Sequence, residues 1–209
     1  MSRPPDLARR QQLLDAALVH LARRGLADAS LRELAGDLGI GLNSLVHHFG
    51  SRDDLIVACL ERSEAIQLEV LRRWTTRNPL LSTTAITRRW WRWITASPEN
   101  LAMARLHLEM ATLRAEDHPW MERVDIDRLA LWRQGIADRL VRDGLPRRRA
   151  TTEATALRAL LSGLIVELAA GGDRRRLARG LELGLARLDQ AAWSAAAPPM
   201  TFRPPSPTP

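Results

Sequence analysis

Lysine and tyrosine are absent from the 209-residue sequence, while cysteine occurs once and phenylalanine twice. The single thiol, Cys59, excludes a disulfide framework and any cysteine-based zinc module. All 31 basic residues are therefore arginine, and with abundant alanine, leucine, proline and glycine they reflect the coding bias of a GC-rich genome. Because of this bias, the formal charge of +7 does not by itself indicate a nucleic-acid partner.

Long apolar runs are also missing. No stretch approaches the roughly 18 consecutive apolar residues of a membrane-spanning helix, because arginine interrupts every hydrophobic segment. The residues before Leu7 lack the apolar centre of a signal peptide. We therefore expect a cytoplasmic protein without a membrane partner. The length and the 45% hydrophobic content indicate one or two domains with a buried core.

The alternation typical of β-strands is missing too, and apolar residues recur instead at three- and four-residue spacing. Capping boxes at Ser30 with Glu33 and at Ser51 with Asp54 mark helix starts, and Gly25 ends the first helix. The proline-rich tail, 195–209, is expected to be disordered because it has little apolar surface to bury. We predict an all-α fold of about nine helices, at about 6–24, 30–39, 42–48, 51–74, 83–96, 98–114, 119–142, 151–170 and 173–193.

The segment between residues 31 and 49 has the most informative spacing. A helix-turn-helix needs a small residue where its helices touch, a glycine at the turn, and an aliphatic residue six positions later. Ala35, Gly39 and Leu45 occupy these relative places. Leu45 and Phe49 direct one face of the second helix toward a core. The opposite face carries short polar groups that can meet base edges or phosphates, namely Asn43, Ser44, His47 and His48.

Around this motif, residues 7–62 resemble the TetR family of bacterial transcriptional repressors. Order and spacing agree over the helix before the motif, the capping box at Ser30, and the run from Leu45 into the following helix. The resemblance implies that residues 1–54 form a three-helix DNA-binding domain. It also implies that residues 55–194 form a larger helical domain, which binds a small-molecule effector and makes a homodimer.

Two positions depart from the pattern of this family. The family usually has tyrosine where Val46 stands and lysine where Arg52 stands, and both commonly contact the DNA backbone. Arg52 can keep a phosphate contact, whereas Val46 cannot replace a phenolic hydroxyl. Because 1–54 carries seven arginines and seven acidic residues, we expect moderate affinity for double-stranded DNA. The expected DNA contacts are Arg3, Ser30, Arg32, Asn43, Ser44, His47, His48 and Arg52.

Tryptophan and methionine line one side of the predicted middle helices. On a helical wheel, Trp90 and Trp93 share an apolar face opposite three arginines, and Trp91 lies at its border. Such side chains suit a pocket for a flat or bulky apolar effector, although each could equally fill a core. Asp125 and Arg128 could orient that ligand or pair with each other. The candidate effector residues are Trp90, Trp93, Met103, His107, Met110, Met121, Asp125, Arg128 and Trp132.

The last two predicted helices place small residues beside leucines. Small residues let helices approach closely, so two such hairpins could form a four-helix dimer interface, or they could pack within one chain. A dimer would space two recognition helices about one DNA turn apart, roughly 34 Å. The candidate interface residues are Leu157, Leu160, Leu161, Leu164, Gly180, Leu181, Gly184 and Leu188.

Catalytic and metal-binding patterns are not evident in the sequence, so we expect neither enzymatic activity nor a cofactor. Adjacent helical residues such as His47 and His48 diverge by about 100°, which disfavours a shared metal ion. The predicted function is a dimeric repressor that a bulky, largely apolar small molecule releases from its operator. The alternative is a membrane-surface or structural all-α protein, suggested by the arginines and tryptophans of 88–93, in which the helix-turn-helix is only a packing unit.

Overall fold

A computed structural model describes residues 7–26, 30–124 and 127–196 of the chain. Over these ranges the protein consists of nine α-helices and two short 3₁₀ segments, without a strand, so the all-α prediction is confirmed. Arg3 and most of the proline-rich tail lie outside the described residues. The helices are α1 (Leu7–Arg24), α2 (Leu31–Asp37), α3 (Leu42–Phe49), α4 (Arg52–Arg77), α5 (Thr83–Ile94), α6 (Pro98–Met110), α7 (Asp127–Arg142), α8 (Arg147–Ala169) and α9 (Arg174–Ala196), and the 3₁₀ segments are Ala115–Asp117 and Pro119–Arg123.

The two predicted capping boxes differ in outcome. At the start of α4, the Ser51 hydroxyl accepts from the Asp54 backbone N–H over 3.1 Å, and the Asp54 carboxylate accepts from the Ser51 N–H over 2.8 Å. This box is confirmed. At the start of α2, Ser30 accepts from the Glu33 N–H, but the Glu33 carboxylate lies 3.5 Å from the guanidinium of Arg24. Only the serine half of this capping box forms, because the Glu33 side chain pairs with Arg24 of α1 instead of accepting from the Ser30 backbone N–H.

The predicted helix over 119–142 is wrong in its first part. Residues 119–123 form a 3₁₀ segment, Val124 has extended backbone, and α7 begins only at Asp127. Trp120 and Met121 are adjacent in sequence, yet both are buried in the same core. Successive α-helical side chains diverge by about 100°, so an irregular backbone allows both to be buried together.

The predicted start of the eighth helix is also wrong. α8 begins at Arg147, directly after Pro146, rather than at Thr151 or Thr152. Both threonine hydroxyls donate instead to carbonyls one turn earlier, Thr151 to Arg147 over 3.0 Å and Thr152 to Arg148 over 3.4 Å. These threonines therefore satisfy their hydroxyls inside the helix instead of capping it.

Two hydrophobic cores meet along α6. The N-terminal core combines buried side chains of α1 to α4 with Met103, Leu106 and Met110 of α6 and with the segment 120–124. The C-terminal core combines buried side chains of α5 to α9, including Ala104. Because α6 contributes to both cores, the part of the chain before residue 55 is packed directly against the part that follows it.

Helix α5 is covered on more sides than a single apolar stripe predicts. Trp91, expected at the border of the apolar face, is only 5% exposed and lies in the C-terminal core. Trp90 and Trp93, expected at its centre, are half-buried. The reason is that α5 packs against α4, α6, α7 and α9, so several of its faces are in contact with protein.

Candidate DNA-binding surface and effector site

The turn between α2 and α3 has the geometry of a helix-turn-helix. Gly39 adopts a φ of 61°, in the left-handed region, and the Ile40 N–H donates to the Ala35 carbonyl over 3.0 Å. Ala35 is 4% exposed and Leu45 is 0% exposed, and both lie in the N-terminal core. The motif predicted from their spacing is confirmed.

The side of α3 that faces away from the core is open to solvent. Asn43 and His47 are exposed there, one turn apart. Two apolar side chains lie between this polar row and the buried side of the helix, Leu42 at 37% exposure and Val46 at 45%. The other predicted contact residues on this part of the chain are Ser30, Arg32, Ser44 and His48, of which Arg32 is exposed and the other three are half-buried.

Arg52 begins α4 and is anchored within the protein. Its Nη2 donates to the Leu26 carbonyl over 3.0 Å, and its Nη1 lies 3.4 Å from the Asp53 carboxylate. Arg52 therefore links the end of α1 to the start of α4 at the edge of the DNA-binding segment.

Two residues that the sequence reasoning did not single out hold the helix-turn-helix in place. The Arg10 Nε donates to the His48 carbonyl over 3.3 Å, and the Arg10 guanidinium lies 5.1 Å from the centre of the Phe49 ring. This places a cation at the carbonyl end of α3, where it is favourable. His20 is 8% exposed, and its Nδ1 lies 2.8 Å from the Asp37 carboxylate, which joins α1 to α2.

Acidic residues near the DNA-binding segment have partners inside the protein. Asp15 pairs with Arg62 of α4 over 2.7 Å, and Asp54 pairs with Arg123 over 2.6 Å. Hydrogen bonds from Ser51, together with Arg123, lower the pKa of Asp54 from the ordinary 3.8 to about 2. These contacts also connect the DNA-binding segment to the rest of the chain.

Three of the predicted effector residues come together as an aromatic cluster. The Trp90 ring centre lies 4.9 Å from that of Trp93, in a stacked arrangement, and 5.7 Å from that of Trp132. Trp74 at the end of α4, which the sequence reasoning missed, adds an edge-on contact to Trp90 at 6.4 Å. A half-buried wall of four indole rings therefore joins α4, α5 and α7.

The remaining predicted effector residues are distributed differently. Met103, Met110 and Met121 are between 4% and 8% exposed and lie in the N-terminal core. The His107 Nδ1 lies 3.3 Å from the Nε2 of Gln67, a buried polar side chain of α4. Asp125 and the Arg128 side chain lie outside the described residues.

A cavity of about 260 Å³ lies between α1, α4 and α6. Met103 is the predicted effector residue that reaches it, and the ion pair of Asp15 with Arg62 forms part of its wall. A molecule bound here would touch α1 and α6 together. The lining residues are Asp15, Leu18, Val19, Ala22, Arg62, Ile66, Glu99 and Met103.

Polar contacts fasten α6 to the C-terminal end of α1. The Glu109 carboxylate accepts from the Leu26 N–H over 2.6 Å, just beyond the end of α1. The Arg105 Nη2 donates to the Ala22 carbonyl over 2.9 Å. These two bonds join α6 directly to the end of α1 and to the residue that follows it.

The predicted dimer residues are mainly turned inward. Leu157, Leu164, Leu181 and Leu188 are between 1% and 8% exposed and pack in the C-terminal core of their own chain, and the other four are half-buried. A Cβ placed on Gly184 would collide with the Leu160 side chain, so the two helices approach closely there. The outward side of this hairpin carries other small or apolar residues, namely Ala156, Ala159, Gly163, Val166, Leu183 and Ala186.

Two further features are absent from the described part of the chain. None of its helices combines the length and apolar character needed to span a membrane. Within the same residues, no cluster of three or more histidine, cysteine or acidic side chains could hold a metal ion. The tryptophans of α5 contact the protein interior or one another, and Arg88 pairs with Glu182 of α9 over 2.9 Å.

Known proteins share both the motif and the architecture. Residues 13–59 match the family model of the bacterial regulatory proteins, tetR family. The HTH-type transcriptional repressor Rv1474c of Mycobacterium tuberculosis is 31% identical over 186 residues, covering 84% of this chain and 90% of the relative.

Solved structures agree at the level of the fold. A transcriptional regulator from Rhodococcus sp. Rha1 has a TM-score of 0.71 at 22% identity, covering 90% of this chain and 99% of its own. The multidrug binding protein EbrR, complexed with imidazole, has a TM-score of 0.58 at 27% identity, covering 90% and 93%. The chain belongs to the TetR family of bacterial regulatory proteins and is a DNA-binding transcriptional regulator.

Proposed function

We propose that this regulator is a dimeric repressor that binds operator DNA through α3 and leaves it when a bulky, largely apolar molecule binds. The observation that carries this proposal is the exposed row of Asn43 and His47 on the helix-turn-helix, together with the attachment of α6 to the end of α1. The exposed row can contact the base edges of DNA. The bonds of α6 to α1 can couple a conformational change of the larger domain to the helix-turn-helix.

The DNA contacts proposed for α2 and α3 are of two kinds. Asn43 and His47 face the base edges, because they are exposed on the outward side of α3. Arg32 and Arg52 contact phosphates, and Arg52 does so while it keeps its bond to the Leu26 carbonyl. Ser30, Ser44 and His48 complete the contact surface, and Arg3, outside the described residues, is proposed as a further phosphate contact.

The effector is proposed to bind against the indole wall of Trp74, Trp90, Trp93 and Trp132. Flat aromatic molecules stack on such rings. His107, which lies against Gln67 of α4, stays a candidate for the polar group that orients the ligand. EbrR, a structural neighbour at 27% identity, is described as a multidrug binding protein complexed with imidazole, a small aromatic ring. Asp125 and Arg128 stay candidates for this site, whereas Met110 and Met121 are buried in the N-terminal core and Met103 lines the separate cavity between α1, α4 and α6.

Release from DNA is proposed to proceed through α6. An effector that binds better when α6 is displaced would shift the bonds of Glu109 and Arg105 to the end of α1. The movement of α1 and α4 would then change the separation of the two α3 helices in the dimer. The dimer itself would form through the outward sides of α8 and α9, with the predicted leucines stabilising each hairpin from within.

Two measurements test this proposal in sequence. The full chain is first incubated with a library of random duplexes, and enrichment of one sequence is the expected result. The affinity for that duplex is then measured with and without flat aromatic probes, such as quinoline and 1-naphthol, that quench the tryptophan fluorescence. A quenching probe should weaken DNA binding, whereas equal affinities with and without every quenching probe would contradict the regulatory part of the proposal.

A further inference from the structure

The recognition helix exposes an apolar row beside its polar one. Leu42 and Val46, one turn apart, are 37% and 45% exposed, whereas Leu45 and Phe49, on the neighbouring strip of the helix surface, are 0% and 7% exposed. Leu45 and Phe49 pack α3 against the N-terminal core. Leu42 and Val46 border this buried side but stay partly open to solvent, so their apolar surface is available to a partner.

The major groove of DNA offers one apolar group, the C5 methyl of thymine, and aliphatic side chains contact it favourably. We propose that Leu42 and Val46 recognise thymine methyl groups, so that the operator of this protein requires thymine opposite this row. The inference rests on the proposed DNA-binding role of α3. It assigns to Val46 a base contact, in place of the backbone contact that a tyrosine would make there.

The spacing of the row fits two neighbouring bases. Residues four apart on a helix are separated by roughly 6 Å along its axis, and base pairs are stacked roughly 3.4 Å apart. Leu42 and Val46 therefore cover about two base steps, and the adjacent polar row of Asn43 and His47 lies over the same part of the groove. Polar side chains on this surface would read hydrogen-bonding groups, and the apolar ones would discriminate thymine from cytosine by its methyl group.

Replacing thymine with deoxyuridine tests this inference, because the exchange removes only the methyl group. The duplex enriched from the random library is synthesised with each thymine replaced in turn, symmetrically in both half-sites. At one or two of these positions, the affinity of wild type for the duplex should fall about fourfold for each half-site that lacks the methyl group. This is the expected effect of losing one apolar contact with a methyl group. For Val46→Ala, the thymine and deoxyuridine duplexes should bind equally at the position that Val46 covers.

Asn43→Ala provides the matched control on the same face of α3. This variant should bind more weakly overall, but it should keep the difference between thymine and deoxyuridine at the Val46 position. Because both side chains are exposed, thermal unfolding should be nearly unchanged in either variant. The inference is overturned if wild type binds every deoxyuridine duplex as tightly as the thymine duplex, or if Val46→Ala keeps the full difference. If no duplex is enriched at all, the proposed DNA-binding role fails, and the inference fails with it.

Discussion

The N-terminal and C-terminal cores are filled by different side chains. The N-terminal core contains large or flexible side chains, such as Trp120, Met103 and Met110. In the C-terminal core, α7, α8 and α9 meet mainly through small and aliphatic side chains, including Ala150 and Ala154 at 0% exposure. Closely packed small side chains resist deformation, whereas methionine adapts to changes in its surroundings. This difference supports the proposal that the DNA-binding half moves relative to a more rigid half that would form the dimer.

Buried leucines in the two cores should produce the largest effects. Leu45→Ala and Leu185→Ala each remove a side chain that is 0% exposed, and each should lower the free energy of unfolding by about 2–5 kcal/mol. Chemical denaturation measures both. Under conditions where both variants stay folded, only Leu45→Ala should weaken DNA binding, by about tenfold or more. Equal losses of DNA affinity would mean that the two cores do not act separately.

The outward side of α8 and α9 should control assembly. Leu183 is 70% exposed on α9, and Leu183→Glu would bury a charge in the proposed dimer interface. We expect the dimer dissociation constant to rise by about tenfold or more, as measured by sedimentation velocity. Leu80→Glu is the matched control, because Leu80 is 95% exposed in the loop after α4. If both variants sediment like wild type, the interface lies elsewhere.

The link between the two halves should be sensitive at Glu109. Glu109→Gln keeps an oxygen near the Leu26 N–H but removes the charge, which should lower the free energy of unfolding by about 1 kcal/mol. The probe that releases wild type from DNA should have a smaller effect on this variant. Glu116→Gln serves as the control, since Glu116 pairs with Arg114 at the surface. An unchanged response in Glu109→Gln would rule out this contact as part of the coupling.

The smallest effect concerns acid stability at the start of α4. The folded protein lowers the pKa of Asp54 from 3.8 to about 2, so its contribution to stability is present above pH 3.8 and is lost as the pH falls toward 2. Asp54→Asn should be less stable than wild type at neutral pH. Denaturant titrations between pH 6 and about 2 should show this difference shrinking over the lower part of the range. A difference that is independent of pH would contradict the role of the ionised capping box.

Features that depend on neighbouring residues could be predicted from the sequence. The cap at Ser51, the turn at Gly39 and the inward side of α3 all follow from spacings within a few residues. The shared face of Trp90 and Trp93 could also be predicted, because they lie one turn apart on a helix, but their contact with Trp132 depends on the distant helix α7. Local chemistry was misleading at Pro119, where a residue typical of helix starts begins a 3₁₀ segment instead.

Features set by distant contacts could not be predicted in this way. The position of Trp91 depends on four helices that surround α5, and the bonds of Glu109 and Arg105 to α1 join residues 83 positions apart. The methionines expected beside the tryptophans lie in the other core, because α6 turns Met103 toward α1 and α4. A helical wheel describes which side chains share a face, but it does not identify the neighbour of that face.

The outward polar row of α3 offers the most direct test of the account. The affinity for the enriched duplex should be measured for wild type, for the double variant Asn43→Ala with His47→Ala, and for Arg148→Ala, an exposed control at the start of α8. We predict that the double variant binds at least about tenfold more weakly, while Arg148→Ala stays within about twofold of wild type. A double variant that binds as tightly as wild type would contradict the assignment of α3 as the DNA-reading helix.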